Sequence, residues 1–269
     1  MENKNLKIFL SAIQRSKGID LSSYQERFFL RRLNYRISIR KSTGFSGYLE
    51  LLEKDSAEFN RFLEALAINV SEFFRDAEVF DYFRNNCLRE LINRKGLSSN
   101  KVIRIWSAGC AEGEEPYSLA IILKEELSKR NNFFSRIWGT DIDKGALESA
   151  KIAEYNPKSL KEIDEARLKK YFSPLPGGSF RLDEEIRQMV KFSQRDLINK
   201  SPLRFMDVIF CRNVMIYLNR EQQDILLSKF HKALSSKGYL ILGKVETIWG
   251  NLRNMFIPVA TYQKIFQKK

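Results

Sequence analysis

Apolar residues recur at helical spacing through about the first 95 positions. They fall at Leu6, Phe9, Leu10 and Ile13, again at Phe29, Leu30, Leu33 and Ile37, and again at Tyr48, Leu49, Leu51 and Leu52. This predicts an all-α N-terminal domain over residues 1–95. After the linker-like GLSSN at 96–100 the pattern changes. Short apolar runs predict strands at about 102–107, 136–141, 190–193, 206–211 and 239–242. Helical patterns fall between them at about 114–130, from Asp143 to about Tyr155, and at 220–235. Strands alternating with helices indicate a parallel α/β sheet over 96–269. Turn residues (Asn156-Pro157, Pro174, Pro176, Gly177-Gly178) interrupt the alternation, predicting a small β excursion at about 156–192 with one helix near 160–171. The tail alternates like a hairpin or an edge strand.

The first strand runs into SAGCAEGEEPYS at 107–118, a turn with two glycines followed by a helix that starts on acids and Pro116. Strand, glycine turn and helix is how an α/β sheet binds nucleotide-like ligands at a strand's carboxyl end. A phosphate would want positive charge there, but the turn offers Glu112, Glu114 and Glu115 and has no P-loop Lys-Ser/Thr. An acidic turn suits a ligand that is cationic or rich in hydroxyls, and S-adenosylmethionine is both. The second strand ends on Asp141, where a carboxylate can accept ribose hydroxyls. Asp143 better suits the cap of the next helix. Upstream, a break at Asn69-Val70-Ser71 precedes Glu72, an acid suited to a first helical turn. Phe73 and Phe74 read as core, and Arg75 as a residue held at the edge of a pocket.

Composition narrows the chemistry. The 269 residues carry 43% hydrophobic residues and 20 Phe, enough for a packed core, and no apolar run long enough to span a membrane. The N-terminus lacks the features of a secretory signal. Three dispersed cysteines form neither a disulfide framework nor a zinc pattern, so no metal is expected and a reducing cytoplasm is the natural location. The single histidine, His231, lies in a predicted helix and reads as a helix-surface residue rather than a catalyst. A formal charge of +13 favours an acidic partner. Arg27, Arg31, Arg32, Arg36, Arg40 and Lys41 follow one another without an acid. On a helical wheel Arg27 and Arg31 face away from the apolar stripe while Arg32 and Arg36 flank it, a pattern suited to docking on an acidic surface.

Four strings in order, NVSEFFRD at 69–76, SAGCAEGEEPYS at 107–118, GTDID at 139–143 and FCRNVMIYL at 210–218, resemble the CheR family of chemotaxis receptor methyltransferases. The likeness extends to FFLRRLNYRI at 28–37 and LILGKVET at 240–247. It implies a Rossmann-like, S-adenosylmethionine-dependent methyltransferase domain with a small β-subdomain, preceded by the helical domain. It implies methylation of glutamate side chains on the acidic cytoplasmic helices of methyl-accepting chemotaxis receptors, with S-adenosylhomocysteine as by-product. By matched position it assigns cofactor contacts to Asn69, Ser71, Arg75, Ala108, Glu114, Asp141, Asp196, Leu197, Arg212 and Asn213. Arg75 and Tyr217 are assigned nearest the transferred methyl.

This sequence departs from the family pattern at Ser71, Glu112, Asp196 and Lys244-Val245. Its Phe172–Arg181 loop is short, where members that grip a receptor's C-terminal pentapeptide have a longer glycine-rich loop, so a tether peptide is not expected to be required. Two other readings are weaker. A nucleic-acid methyltransferase would suit the charge, but the place of its Asn/Asp-Pro-Pro-Tyr/Phe string is taken by Cys211-Arg212-Asn213-Val214. A non-catalytic S-adenosylmethionine-binding scaffold is at odds with the intact Arg75, Glu114, Asp141, Arg212 and Tyr217.

Overall fold

The structure, a computed structural model, describes residues 2–19, 21–22, 24–66, 71–98, 101–128, 130 and 132–269. It divides into two compact units. One comprises Met1–Ile68 with Tyr217–Gln223, and the other Asn69–Ile216 with Asp224–Lys269.

The first unit contains α1 (Glu2–Lys17), α2 (Glu26–Arg40), α3 (Gly44–Lys54) and α4 (Ser56–Leu66). Its core is aromatic. Phe62 receives Phe9, Phe29 and Tyr48 edge-on at 6.1, 5.9 and 5.8 Å, the arrangement ring quadrupoles favour. Leu6, Ile13, Leu33 and Leu52 are buried with them, on the faces their spacing predicts. Glu58 is 0% exposed and its carboxylate is satisfied from three sides. Arg36 Nε donates at 3.1 Å, Arg36 Nη2 at 2.6 Å, and the Tyr48 hydroxyl at 2.7 Å. Residues 217–223 join this unit through the entry to α2: Gln25 N–H donates to the Tyr217 carbonyl at 2.8 Å, and the Tyr217 ring lies 4.9 Å from that of Phe28.

The second unit starts with α5 (Ala77–Tyr82), a π-helical turn over Phe83–Leu88 and α6 (Arg89–Gly96). There follow β1 (Val102–Ala108), α7 (Glu114–Leu127), β2 (Phe134–Asp141), α8 (Lys144–Ile152), β3 (Glu154–Tyr155), α9 (Glu165–Tyr171), β4 (Phe172–Pro174), β5 (Phe180–Leu182), α10 (Glu184–Arg187), β6 (Val190–Gln194), β7 (Met206–Cys211), α11 (Arg220–Ala233), β8 (Leu234–Leu242), β9 (Phe256–Ala260) and β10 (Ile265–Lys268). Seven strands form one sheet in the order β6-β2-β1-β7-β8-β10-β9. The five through β8 are parallel and the last two antiparallel, so the tail is a hairpin closing one edge. Strand order runs outward in both directions from β1 and β7, which places the crevice for a ligand at the carboxyl ends of those two strands. A separate antiparallel sheet, β3-β5-β4, interrupts the main one, while β6 belongs to the main sheet.

The division between units falls nearer the N-terminus than the predicted boundary at residue 95. Phe74, Phe80, Phe83, Leu88 and Leu91 are buried in the same core as the sheet residues Ile105 and Phe210, so 71–95 folds with the sheet. The expected helix start at Glu72 is also displaced. Phe74 and Asp76 take positive φ of 54° and 60°, and α5 begins only at Ala77. The strand expected at 239–242 begins at Leu234, directly after α11. His231 is half-buried and packs edge-on against Phe256 of β9 at 5.4 Å. Cys87, Cys110 and Cys211 are free thiols, all buried.

Candidate functional site

The site is built from the carboxyl ends of four adjacent strands. After β1 the backbone N–H groups of Gly109 and Cys110 both donate to the Thr140 carbonyl of β2, at 2.7 and 3.0 Å, which turns the chain sharply. Gly109 has φ +84°, and a Cβ there would lie 2.3 Å from Val214 Cγ2, so only glycine fits between the two loops. Gly113, at φ +96°, opens α7.

Two carboxylates meet in this turn with different duties. Asp143 accepts from Gly145 N–H at 2.8 Å and Ala146 N–H at 3.2 Å, capping α8. Asp141 accepts Ala111 N–H on Oδ2 at 2.9 Å and Asp143 N–H on Oδ1 at 3.0 Å. Each Asp141 oxygen keeps a second lone pair for an outside donor such as a hydroxyl. Burial pushes the Asp141 carboxyl up, against the pull of those backbone N–H groups.

Glu114 is 1% exposed, and its Oε2 is buried with no protein partner. Burial pushes its carboxyl up to about 7, with Glu112 adding repulsion and the Ser71 hydroxyl a stabilising hydrogen bond. Glu115 is also pushed up by burial, opposed by the charge of Arg212 and by the Ser107 hydroxyl, which donates at 2.7 Å. A group of buried, partly compensated carboxylates with one unpartnered oxygen is an environment that a cation would relieve.

The positive charge in the site is paired with acids. Arg212, at the end of β7, has a side chain only 2% exposed. It pairs with Asp76, lies 3.7 Å from Glu115, and sits 5.5 Å over the Phe80 ring. Its Nε is buried and unpartnered, leaving one donor for a ligand. Half-buried Arg75 directly follows two fully packed residues. Phe73 meets Tyr155 and Phe172 edge-on at 4.7 and 5.2 Å, and Phe74 N–H donates to Ser118 Oγ at 2.9 Å. The Ser118 hydroxyl in turn donates to the Glu114 carbonyl at 2.7 Å, so the backbone at Phe74, one residue before Arg75, is tied to the first turn of α7.

The loop after β7 hangs on Glu246, which is 4% exposed. Its carboxylate accepts N–H groups from Gly243 at 2.6 Å, Asn213 at 3.1 Å and Met215 at 2.8 Å, and holds Asn213 at φ +60°. Lys244 pairs with Asp76 at 2.8 Å and Glu78 at 2.6 Å, joining the network around Arg212. Neither the holding role of Glu246 nor the pairing of Asp76 was expected. The only local signal was Gly243 three residues before Glu246.

Ser71, Arg75, Ala108, Glu114, Asp141, Asp196, Leu197, Arg212 and Asn213 thus lie in or beside the loops at these strand ends. The Asp196 carboxylate accepts Ile198 N–H at 2.8 Å and Asn199 N–H at 3.0 Å, which shapes the turn after β6. Asn69 lies outside the described residues. Tyr217 counts with the helical unit. On α2, Arg27 and Arg31 are exposed and Arg32 is half-buried, 5.7 Å over the Phe28 ring. Arg36 is not available for docking as expected, because its guanidinium is spent on Glu58 inside the helical unit.

The residues present fit S-adenosylmethionine. The acids suit its cationic centres, the free lone pairs of Asp141 suit a ribose, and the glycine contact at Val214 lets backbone approach closely. Among the described residues no group of His, Cys, Asp and Glu is arranged to hold a metal, and no helix is long and apolar enough to cross a membrane.

Comparison with known proteins agrees with this geometry. Residues 69–265 match the CheR methyltransferase SAM binding domain, and residues 4–67 match the CheR methyltransferase all-alpha domain. A chemotaxis protein methyltransferase of Borreliella burgdorferi is 34% identical over 92% of this chain and 89% of its own length. Chemotaxis protein methyltransferase 2 of Vibrio cholerae is 32% identical over 86% of this chain and 81% of its own. One from Listeria innocua is 31% identical over 91% and 90%. The chain belongs to the CheR methyltransferase family, and S-adenosylmethionine is its methyl donor.

Proposed function

We propose that this chain esterifies glutamate side chains on the acidic cytoplasmic helices of methyl-accepting chemotaxis receptors, working in the cytoplasm. The observation that carries this reading is the buried, unpartnered Oε2 of Glu114, which a cationic donor would satisfy, together with half-buried Arg75, whose charge acts on the neighbouring Glu115. When bound, the donor supplies an electrophilic methyl on a positively charged sulfur. A glutamate carboxylate, pKa ~4.3, is ionised at pH 7 and is already the nucleophile. The new bond joins a carboxylate oxygen to the methyl, and the broken bond returns its electron pair to sulfur. No proton moves, so no general base is needed.

The chain's own residues orient and enclose. Glu114 and Asp141 hold the donor. Arg75 receives the incoming carboxylate by paired hydrogen bonds, positioning it without supplying the reactivity. Orientation of this kind contributes up to ~7–11 kcal/mol in favourable cases. The resemblance adds Tyr217 near the methyl. Arg27, Arg31 and Arg32 offer a complementary surface to acidic helices. The short turn Leu175–Ser179, closed by Leu175 N–H to the Ser179 carbonyl at 2.8 Å, supports the reading that no tether pentapeptide is required. Micromolar binding of a receptor's C-terminal pentapeptide would overturn that part.

The test is transfer of tritiated methyl from S-adenosylmethionine to receptor cytoplasmic fragments, followed by mild alkali. Label released as methanol is expected. Label stable to alkali, label on RNA instead, or cofactor binding with no transfer to any receptor fragment would overturn the proposal.

A further inference from the structure

At the other end of the sheet, where β1, β2 and β7 begin, lies a cleft of about 700 Å³ that the methyltransferase site does not use. Arg104, Arg136 and Arg204 line it. Among the described residues none of the three makes an ion pair or a side-chain hydrogen bond. Arg104 and Arg136 are register partners on adjacent parallel strands. Like charges placed side by side on a sheet destabilise it. The one acid in the cleft does not relieve them. Asp207 is 4% exposed, Lys95 Nζ is 2.9 Å from it, and it accepts the Arg104 backbone N–H at 2.8 Å, so its charge is already spent.

Two aromatic rings border the same cleft. Trp138 lies two residues after Arg136, on the same face of β2, and is half-buried. Phe205 is 71% exposed and is held at φ +59°, a conformation that is costly for a bulky residue. Guanidinium groups without a partner among the described residues, beside one exposed and one half-buried ring in a cleft of small-molecule size, match one ligand chemistry: phosphates joined to a planar base.

We propose that this cleft binds a nucleoside di- or triphosphate. Its phosphates lie between Arg104 and Arg136 with Arg204 over them, and its base stacks on Trp138 or Phe205.

The experiment is calorimetric titration of the full chain with ATP and GTP in saturating S-adenosylhomocysteine, which keeps adenosine out of the methyl-donor site. Micromolar binding is expected for at least one nucleotide. It should weaken at least tenfold in Arg136→Gln and in Trp138→Ala, and inorganic tripolyphosphate should bind at least tenfold more weakly than the nucleotide. S-adenosylhomocysteine affinity should be unchanged in both variants, which shows that they are folded. In the absence of nucleotide, Arg136→Gln should raise Tm, because it separates two like charges. The proposal is overturned by no binding below about 1 mM or by tripolyphosphate binding as well as the nucleotide. It is equally overturned by a duplex oligonucleotide binding more tightly through the same residues, or by a lower Tm in Arg136→Gln.

Discussion

Glu114 places a carboxyl where the protein keeps it dry. Its carboxyl titrates near 7 instead of 4.5 because burial disfavours the anion. The proton is therefore held more tightly in the folded state than in the unfolded one. Ligand-free stability falls as pH rises from about 4.5 to about 7, by roughly 3 kcal/mol at full ionisation. A cationic ligand reverses the sign, since it binds the ionised form. S-adenosylmethionine affinity is expected to rise several-fold between pH 6 and pH 8, and Glu114→Gln should flatten both profiles. Thermal melts and titrations at a series of pH values check this. Arg75 is tested by Arg75→Lys, which keeps the charge and loses the paired geometry. A fall in kcat/KM of about 100-fold is expected with the fold intact. Residues whose partners are close in sequence were legible at this scale. Asp143 caps a helix starting one residue later, and the glycines at 109 and 113 announced a sharp turn. Arg36 was not legible, because the acid that claims it is 22 positions away on another helix.

Among the elements, α2 and α4 are joined by that pair. Arg36 is 12% exposed and Glu58 not at all, so removing either partner strands a charge. Arg36→Ala is expected to destabilise the helical unit by about 3–5 kcal/mol, read as a lower denaturant midpoint. The double replacement Arg36→Met with Glu58→Leu should recover most of the loss. The strands could be read from their apolar runs because a parallel strand is buried on both faces. The start of β8 could not, since Leu234-Ser235-Ser236-Lys237-Gly238 carries no strand pattern and extends only through pairing that begins at Met206 and Leu234. Helix α5 starts late because Phe73 and Phe74 are anchored by Tyr155, Phe172 and Ser118, contacts that appear only once the sheet is assembled.

For the whole molecule, the charge of +13 acts at a distance. Encounter with an acidic receptor fragment is expected to slow with salt, kcat/KM falling several-fold between about 50 and 300 mM NaCl while kcat stays nearly constant. Arg31→Glu, on the exposed face of α2, should lower the low-salt rate and flatten the dependence. The charge predicted an acidic partner but did not locate it, because several basic surfaces share the excess. The domain boundary was misplaced for a related reason: residues 71–95 are helical like the first unit, and only their burial against Ile105 and Phe210 assigns them to the second.

Two of the three buried thiols sit beside the donor loops, Cys110 in the glycine turn and Cys211 at the end of β7, and burial raises both well above the usual thiol range. Alkylating reagents attack thiolates, so both sulfurs are silent until the loops open. Iodoacetamide uptake followed by mass spectrometry would therefore time the breathing of the catalytic mouth. S-adenosylhomocysteine should slow modification at 110 and 211 at least tenfold while leaving 87, buried within the π-helical turn, to report only global unfolding.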